Sequence, residues 1–326
     1  MLHSSLFNHI FRKANISRLK VTISTPYPLN KMAQRGAVND DKAWSAQASE
    51  YAKFMKRKSE SQPSPMAVPI DQMLRKLNAA KPLSSATGLM AAGCGTGQGI
   101  TNLFEEYGSE IPSSARLVAS DFSEGMLNVL RETASRNAAE GNNLWERLET
   151  EVMDMQNLTS LPDGSLSHVF SSFVLGMIPD NKKALQEVNR VLTPGGVFVE
   201  VSWAKITWME WLFEMIDRRW PKRIKPLPWP ADFTSTAGLR GLFEDAGFIN
   251  VETEEAEGIL GGDSISEFVR MFSRSKNPGM SFAFQTLDES ELEEAEKILE
   301  EDLRKKFPDE KVRMVGIAII ALGFKK

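Results

Sequence analysis

Of 326 residues one is cysteine, Cys94, and three are histidine. A lone thiol excludes an internal disulfide framework and a cysteine zinc cluster. His3 and His9 lie in the N-terminal segment, which leaves His168 alone in the body of the chain, so no metal site is expected. No apolar run is long enough to cross a bilayer, and stable membrane insertion is not expected. Positive charge is also short: 39 Lys and Arg stand against 43 Asp and Glu, for a net charge of −4 and a pI near 5.7. That balance weakens a nucleic-acid reading, because phosphate contacts need a basic face, so nucleic acid is not an expected partner. What remains, 42% hydrophobic and 25% charged, is the composition of a globular chain with a large core, expected as monomer or homodimer.

Acid is missing from the first 39 residues, which carry Arg12, Lys13, Arg18, Lys20, Lys31 and Arg35 among Ser, Thr and Asn. Residues 1–40 read as a disordered tail, as a translated leader before an in-frame start at Met32, or as a mitochondrial targeting segment. The expected location is the cytoplasm, with the mitochondrion as the alternative.

Beyond that segment, 40–55 has helical spacing, with Trp44, Ala48, Tyr51 and Phe54 or Met55 on one face. A second helix is expected around 70–79. From 87 the pattern alternates. "GLMAA", "ARLVAS", "LETEVM", "SHVFSSFV" and "VFVEVSW" read as strands. Between them lie helical faces such as Ile100, Leu103, Phe104 and Tyr107, with caps expected at Ser123 and Asp180. Strands interleaved with amphipathic helices predict a doubly wound, mostly parallel α/β sheet. In such a sheet ligands bind beyond the C-terminal strand ends, where strand order reverses. The glycines of "MAAGCGTGQG", Asp121 and Asp154 all fall at such ends. Residues 203–229 hold five of the seven tryptophans, and "SELEEAEKILEEDLRKKF" reads as a helix with a capping box of Ser290 and Glu293. Glu293–Lys297 and Glu301–Lys305 are expected as pairs on its wet face. "VRMVGIAIIALGFK" is the final strand.

Glycines at 93, 95, 97 and 99 imply a ligand close to the backbone. A dinucleotide fingerprint needs G-x-G-x-x-G, but its third position is Gln98 counted from Gly93 and Ile100 counted from Gly95. The spacing speaks against a nicotinamide oxidoreductase, and the Lys-Ser/Thr ending of a P-loop is missing too.

"MAAGCGTG", Asp121 in "LVASDFSEGML", Asp154 in "VMDMQNLTSLPDGS" and "LQEVNRVLTPGGVFVEVS" together resemble the class I S-adenosylmethionine (SAM)-dependent methyltransferases. Within them the likeness is greatest to quinone-biosynthesis and small-molecule natural-product enzymes. The resemblance implies SAM as cofactor, a seven-stranded sheet with its last strand antiparallel, and a hydrophobic or aromatic small-molecule acceptor methylated on O, N or C. It places Gly93, Cys94, Gly95 and Gly97 along the amino-acid and ribose portions, with Cys94 a small packing residue. It sets Asp121 on the ribose hydroxyls, Phe122 and Met126 by the adenine, and Asp154 on the adenine amino group with Met155 alongside. Ser172 and Phe173 would line the methyl-donor side. It further implies helical lids at 41–80, with Tyr51 touching the SAM carboxylate or the substrate, and a SAM-binding domain over 81–326. "TWMEWLFEMIDRRW" leaves only a narrow polar stripe and needs two burying surfaces, so the inserted segments 204–234 and 256–311 are expected as substrate covers, with Trp203, Trp208 and Trp211 facing substrate.

Two departures matter. Ala91 stands where the family commonly has an acid, and Leu166–Ser167 stands where Phe-Asp often opens strand four. They leave open a SAM-fold protein that binds SAM without methylating, as a cyclase-type catalyst or a partner subunit. Methyl transfer is an in-line displacement that needs alignment and water exclusion, and a base only if the nucleophile keeps its proton. Glu200, near the end of strand five, is the candidate base. His168 opens strand four, at the edge away from the ligand, and is rejected.

Overall fold

The computed structural model describes residues 40–55, 64–223, 229–275, 281 and 283–326. The acid-free N-terminal stretch and the expectations attached to it lie outside these residues.

Seven strands form one sheet in the order β3-β2-β1-β4-β5-β7-β6. They are β1 (Gly88–Ala92), β2 (Arg116–Asp121), β3 (Leu148–Val152), β4 (Leu166–Ser172), β5 (Leu192–Lys205), β6 (Phe248–Gly262) and β7 (Val312–Lys325). Pairings among β1 to β5 are parallel, and β7 runs antiparallel to both β5 and β6, as expected. Strand order reverses between β1 and β4, the position where a doubly wound sheet opens a crevice.

Ten helices flank the sheet among the described residues: α1 (Asp41–Met55), α2 (Ala67–Ala80), α3 (Gln98–Tyr107), α4 (Glu124–Ala139), α5 (Asn143–Glu146), α6 (Asn181–Val191), α7 (Thr207–Arg219), α8 (Thr236–Asp245), α9 (Ile265–Ser273) and α10 (Glu289–Lys306). The period-two alternation of the strands sorts their side chains into two cores. Leu89, Ala91, Val197 and Val199 pack with Ile100, Leu103 and Phe104 of α3 on one face. Met90, Ala92, Val118 and Phe198 pack with Leu185 and Val188 of α6 and Phe243 of α8 on the other. Ser123 and Asp180 cap α4 and α6 through their side chains.

Three sequence expectations change. Residues 256–262 are not part of an insertion; they continue β6, which pairs with β7 from Phe248↔Lys325 to Gly262↔Val312. The capping box of α10 lies two residues earlier than expected, at Asp288 and Glu291. The motif S/D-x-x-E occurs in both registers. Asp288, a charged acceptor, bonds the Glu291 amide at 2.9 Å while Glu291 Oε2 accepts from the Asp288 amide at 3.0 Å. Along the helix the i,i+4 ion pairs that form are Glu300–Arg304 and Asp302–Lys306, in place of Glu293–Lys297 and Glu301–Lys305.

Candidate active site

The C-terminal tips of β3, β2, β1 and β4 stand side by side, and a cavity of about 320 Å³ extends along them. The tip of β2 fastens its neighbours. The Cys94 amide donates to the Ser120 carbonyl at 2.8 Å, which ties down the glycine loop. The Met153 amide donates to the Asp121 carbonyl at 3.0 Å, which ties down the loop after β3. Three loops that are remote in sequence thereby share one edge.

Asp121 is the polar centre. Its Oδ2 accepts from the Gly95 amide at 2.8 Å and its Oδ1 from the Ser123 amide at 2.9 Å. Burial pushes its carboxyl above the usual range, and the backbone N–H groups of Ser123, Gly95 and Phe122 pull it back. Gly95 takes φ of +54°, and a Cβ there would project toward the cavity, meeting only the Tyr51 ring at 3.8 Å. The backbone is therefore bare where a ligand would lie. Gly97, by contrast, does not line the cavity, and a Cβ on it would strike Leu130 Cδ1 at 2.4 Å. Its missing side chain serves the packing of the loop against α4, which corrects the ligand-facing role expected of it.

The other expected cofactor residues, Gly93, Cys94, Phe122, Met126, Asp154, Met155, Ser172 and Phe173, all line the cavity. Phe122 is 36% exposed, large for an aromatic ring on a strand end, and open on the side a flat ligand would cover. Asp154 is exposed, and its Oδ1 accepts from the Gln156 amide at 2.9 Å, a local turn that leaves the carboxylate beside the cavity. Phe173 leaves β4 with φ of +58°, strained for a side chain that size. Its amide still donates to the Val201 carbonyl at 2.7 Å, so the neighbouring strand holds the strained turn in place.

α1 closes the cavity from above with Trp44, Tyr51 and Met55. It is seated by Ser45, whose Oγ accepts from the Gly125 amide at 3.0 Å and pairs with Ser123 Oγ at 2.9 Å. A Cβ at Gly125 would sit 2.4 Å from Ser45 Cα, so only glycine lets the two helices touch there. Burial, with Asp121 nearby, pushes the Tyr51 phenol up to about 12, and its hydroxyl has the Met66 sulfur as partner at 3.9 Å. Trp44 was legible as a neighbour of Tyr51, being seven residues earlier on the same helical face, and their rings meet edge-on at 5.8 Å. Met66 and Met177 carry no such signal, because loops far from the glycines deliver them to the cavity.

Glu200 and the tryptophans are placed elsewhere. Glu200 is fully buried in β5, between Ser171 of β4 and Ala321 of β7, and does not line the cavity. One oxygen accepts from Ser202 Oγ at 2.8 Å, and Oε1 has no partner. Burial pushes its carboxyl up to about 8, so the group is largely neutral at pH 7. A sealed carboxylic acid has no route to a substrate proton, and the geometry gives the expected base no contact with the site. Trp203, Trp208 and Trp211 do not line the cavity either. Trp203 and Trp208 pack edge-on at 5.2 Å over Gly316, and Trp211 Nε1 donates to Asp302 Oδ2 at 2.7 Å. They weld α7 to β7 and α10; Trp203 alone approaches the site, through Phe173 at 4.7 Å between centroids. His168 sits at the opposite edge as expected, with Nε2 3.1 Å from the Lys81 carbonyl and its pKa pulled down to about 4 by burial.

Residues 90–199 match the family described as "Methyltransferase domain". A fungal relative, methyltransferase ucsB of Acremonium sp., is 27% identical over 265 residues, covering 79% of this chain and 88% of the relative. Demethylmenaquinone methyltransferase of Listeria welshimeri is 27% identical over 180 residues, covering 51% of this chain and 72% of the relative. Phosphoethanolamine N-methyltransferase 2 of Haemonchus contortus, solved with phosphomonomethylethanolamine and S-adenosylhomocysteine, has the same fold, with a TM-score of 0.50 at 16% identity over 92% of this chain. This chain spans 62% of that enzyme's length, less than two thirds. Residues 90–199 thus carry a methyltransferase domain, and these similarities support a SAM-dependent methyltransferase with SAM as its cofactor. The residues fit that group: a buried carboxylate at the β2 tip, an open aromatic face at Phe122 and bare backbone at Gly95 border one cavity. No helix among the described residues is long and apolar enough to cross a membrane.

Proposed function

We propose that this enzyme methylates an O, N or C atom of a hydrophobic or aromatic small molecule. The observation that carries the reading is the make-up of the cavity at its β1–β4 end. There Tyr51, Met55, Met66, Phe173, Val174 and Met177 form a wall of aromatic, thioether and aliphatic groups. When bound, SAM supplies an electrophilic methyl on a sulfonium whose charge disappears in the transition state. Apolar walls suit that loss of charge and exclude water. The chain's own part is to hold the donor in line with the acceptor, a contribution of about 7–11 kcal/mol at its most favourable. Asp121, Phe122, Met126 and Asp154 hold the adenosine part, and α1, the lid, shuts the cavity through Tyr51 and Met55. The Listeria relative is named for a quinone-type substrate, which supports a flat, apolar acceptor here.

The test is incubation of the purified protein with methyl-labelled SAM and a panel of phenols, enols and aromatic amines. Label in an organic-extractable product is the expected result. Tight SAM binding with no transfer to any acceptor, in the panel or in a small-molecule extract, would favour a role without methylation.

A further inference from the structure

Ala91, where the resemblance calls for an acid, is 1% exposed and points into the core with Leu89 and Phe170. No charge reaches the cavity from that position. A different element delivers acceptor character there. Gln98, the first residue of α3, lines the cavity. Its Nε2 donates to Asn102 Oδ1 at 2.7 Å, one turn along the same helix. Asn102 is 8% exposed, and its Nδ2 donates to Asp71 Oδ1 of α2 at 2.7 Å.

The polarity of this chain of bonds is forced from one end. An ionised carboxylate only accepts, so Asp71 must receive the Asn102 amide nitrogen. That turns Asn102 Oδ1 toward Gln98, which must then present its own nitrogen. Gln98 Oε1 is left over, with no hydrogen-bond donor among the described residues, on a side chain that borders the cavity. In effect Asp71 projects acceptor character through two amides into the glycine loop, and each bond polarises the next.

The sheet order says which part of the cofactor meets that oxygen. SAM is a linear sequence of adenine, ribose, sulfonium and amino acid. With Asp154 and Phe122 at the β3 and β2 tips and Asp121 at the ribose, the amino-acid end falls toward β1 and β4. Gln98 follows β1. An ammonium group has only donors and seeks acceptors in such a place. We propose that Gln98 Oε1, held in orientation by Asn102 and Asp71, accepts a hydrogen bond from the ammonium of the cofactor's amino-acid end. Asn102 and Asp71 are positioning residues, and Gln98 is the contact.

The inference rests on the SAM reading, and calorimetry separates the two. The probes are S-adenosylhomocysteine, which has the amino-acid end, and 5′-methylthioadenosine, which lacks it. Gln98→Met keeps size and helix propensity and removes the acceptor. It is expected to weaken S-adenosylhomocysteine by about 10-fold or more and leave methylthioadenosine within about 2-fold, since hydrogen bonds to charged groups carry effects of this size. Asp71→Asn lets the relay invert: the substituted side chain has an amide that can donate to Asn102 Oδ1, Asn102 can then donate to Gln98 Oε1, and Gln98 is left offering N–H to the ammonium. The same selective loss is expected from this remote change, and a merely structural role for Asp71 would weaken both probes alike. Equal losses for both probes, or no loss in either variant, overturn the relay while the SAM reading stands. Failure of the unaltered protein to bind either probe overturns the SAM reading and the relay with it.

Discussion

On the β3-β2-β1-β4 side of the sheet, Trp44, Phe122 and Phe173 border a cavity, and a buried carboxylate, Asp121, is met by backbone amides. On the β5-β7-β6 side, Trp203, Trp208 and Trp211 are sealed in a core, and a buried carboxyl, Glu200, has one serine and an orphaned oxygen. The residue types are alike and the uses opposite. The difference lies in how the strands end. Short parallel strands stop together and release loops that turn back over the sheet, which leaves space above their tips. The antiparallel arm of β6 and β7 continues past the end of the parallel strands; α7 and α9 pack against it and α10 packs on those two helices, so its aromatics meet protein. A tryptophan cluster in a sequence is thus a sign of burial before it is a sign of a substrate pocket.

The contrast breaks most visibly at Trp211. Trp211→Ala should cost about 3–5 kcal/mol of stability in denaturant titration, as large-to-small core changes do. The folded fraction should bind S-adenosylhomocysteine as before. A selective loss of binding without loss of stability would return the tryptophan to the site.

Asp121→Ala is the reverse experiment. It removes the acceptor for two backbone amides and, on the proposed reading, for the ligand's ribose, and S-adenosylhomocysteine affinity should fall by about 100-fold in calorimetry. Affinity within a few-fold of the unaltered protein would show that the β2 tip is not the ligand's anchor.

Glu200 sharpens the comparison through pH. Its folded-state pKa of about 8 lies above the unfolded value of 4.5. Its contribution to stability is therefore fully present below pH 4.5 and is lost as pH rises through 8. Glu200→Gln cannot lose a proton, so its stability relative to the unaltered protein should rise by about 2 kcal/mol between pH 6 and pH 8. Parallel melting curves at all pH values would mean that the carboxyl is ionised or solvated. The smallest effect is expected at Gly95. Gly95→Ala places a side chain at φ of +54°, costing about 1–2 kcal/mol, and its methyl enters the cavity. Ligand affinity should fall while the melting temperature drops by a few degrees, and a change in stability with affinity untouched would place the ligand elsewhere.

Much of the site was legible because its signals are local. Glycine spacing, Asp121 at a strand end and the Ser123 cap need only their neighbours in sequence to be recognised, and parallel topology brings strand ends together. Glu200 was misread for the converse reason: proximity to a strand's end says nothing of whether β7 will cover it. Gln98 could be read only as a mismatch to a dinucleotide motif, because its partner Asp71 comes from a helix on the other side of β1 in sequence.

The sequence by itself determined the alternation of strands and helices, the resemblance to methyltransferases and the strand tips that meet along the cavity. Those follow from periodicity, caps and turn glycines, which act over a few residues. Only the tertiary structure decided which aromatics face space and which face protein, that Gly97 packs on Leu130, and that an acid on α2 orients an amide at the glycine loop. Burial and hydrogen-bond direction belong to pairs of surfaces, and the second surface of each pair is remote along the chain.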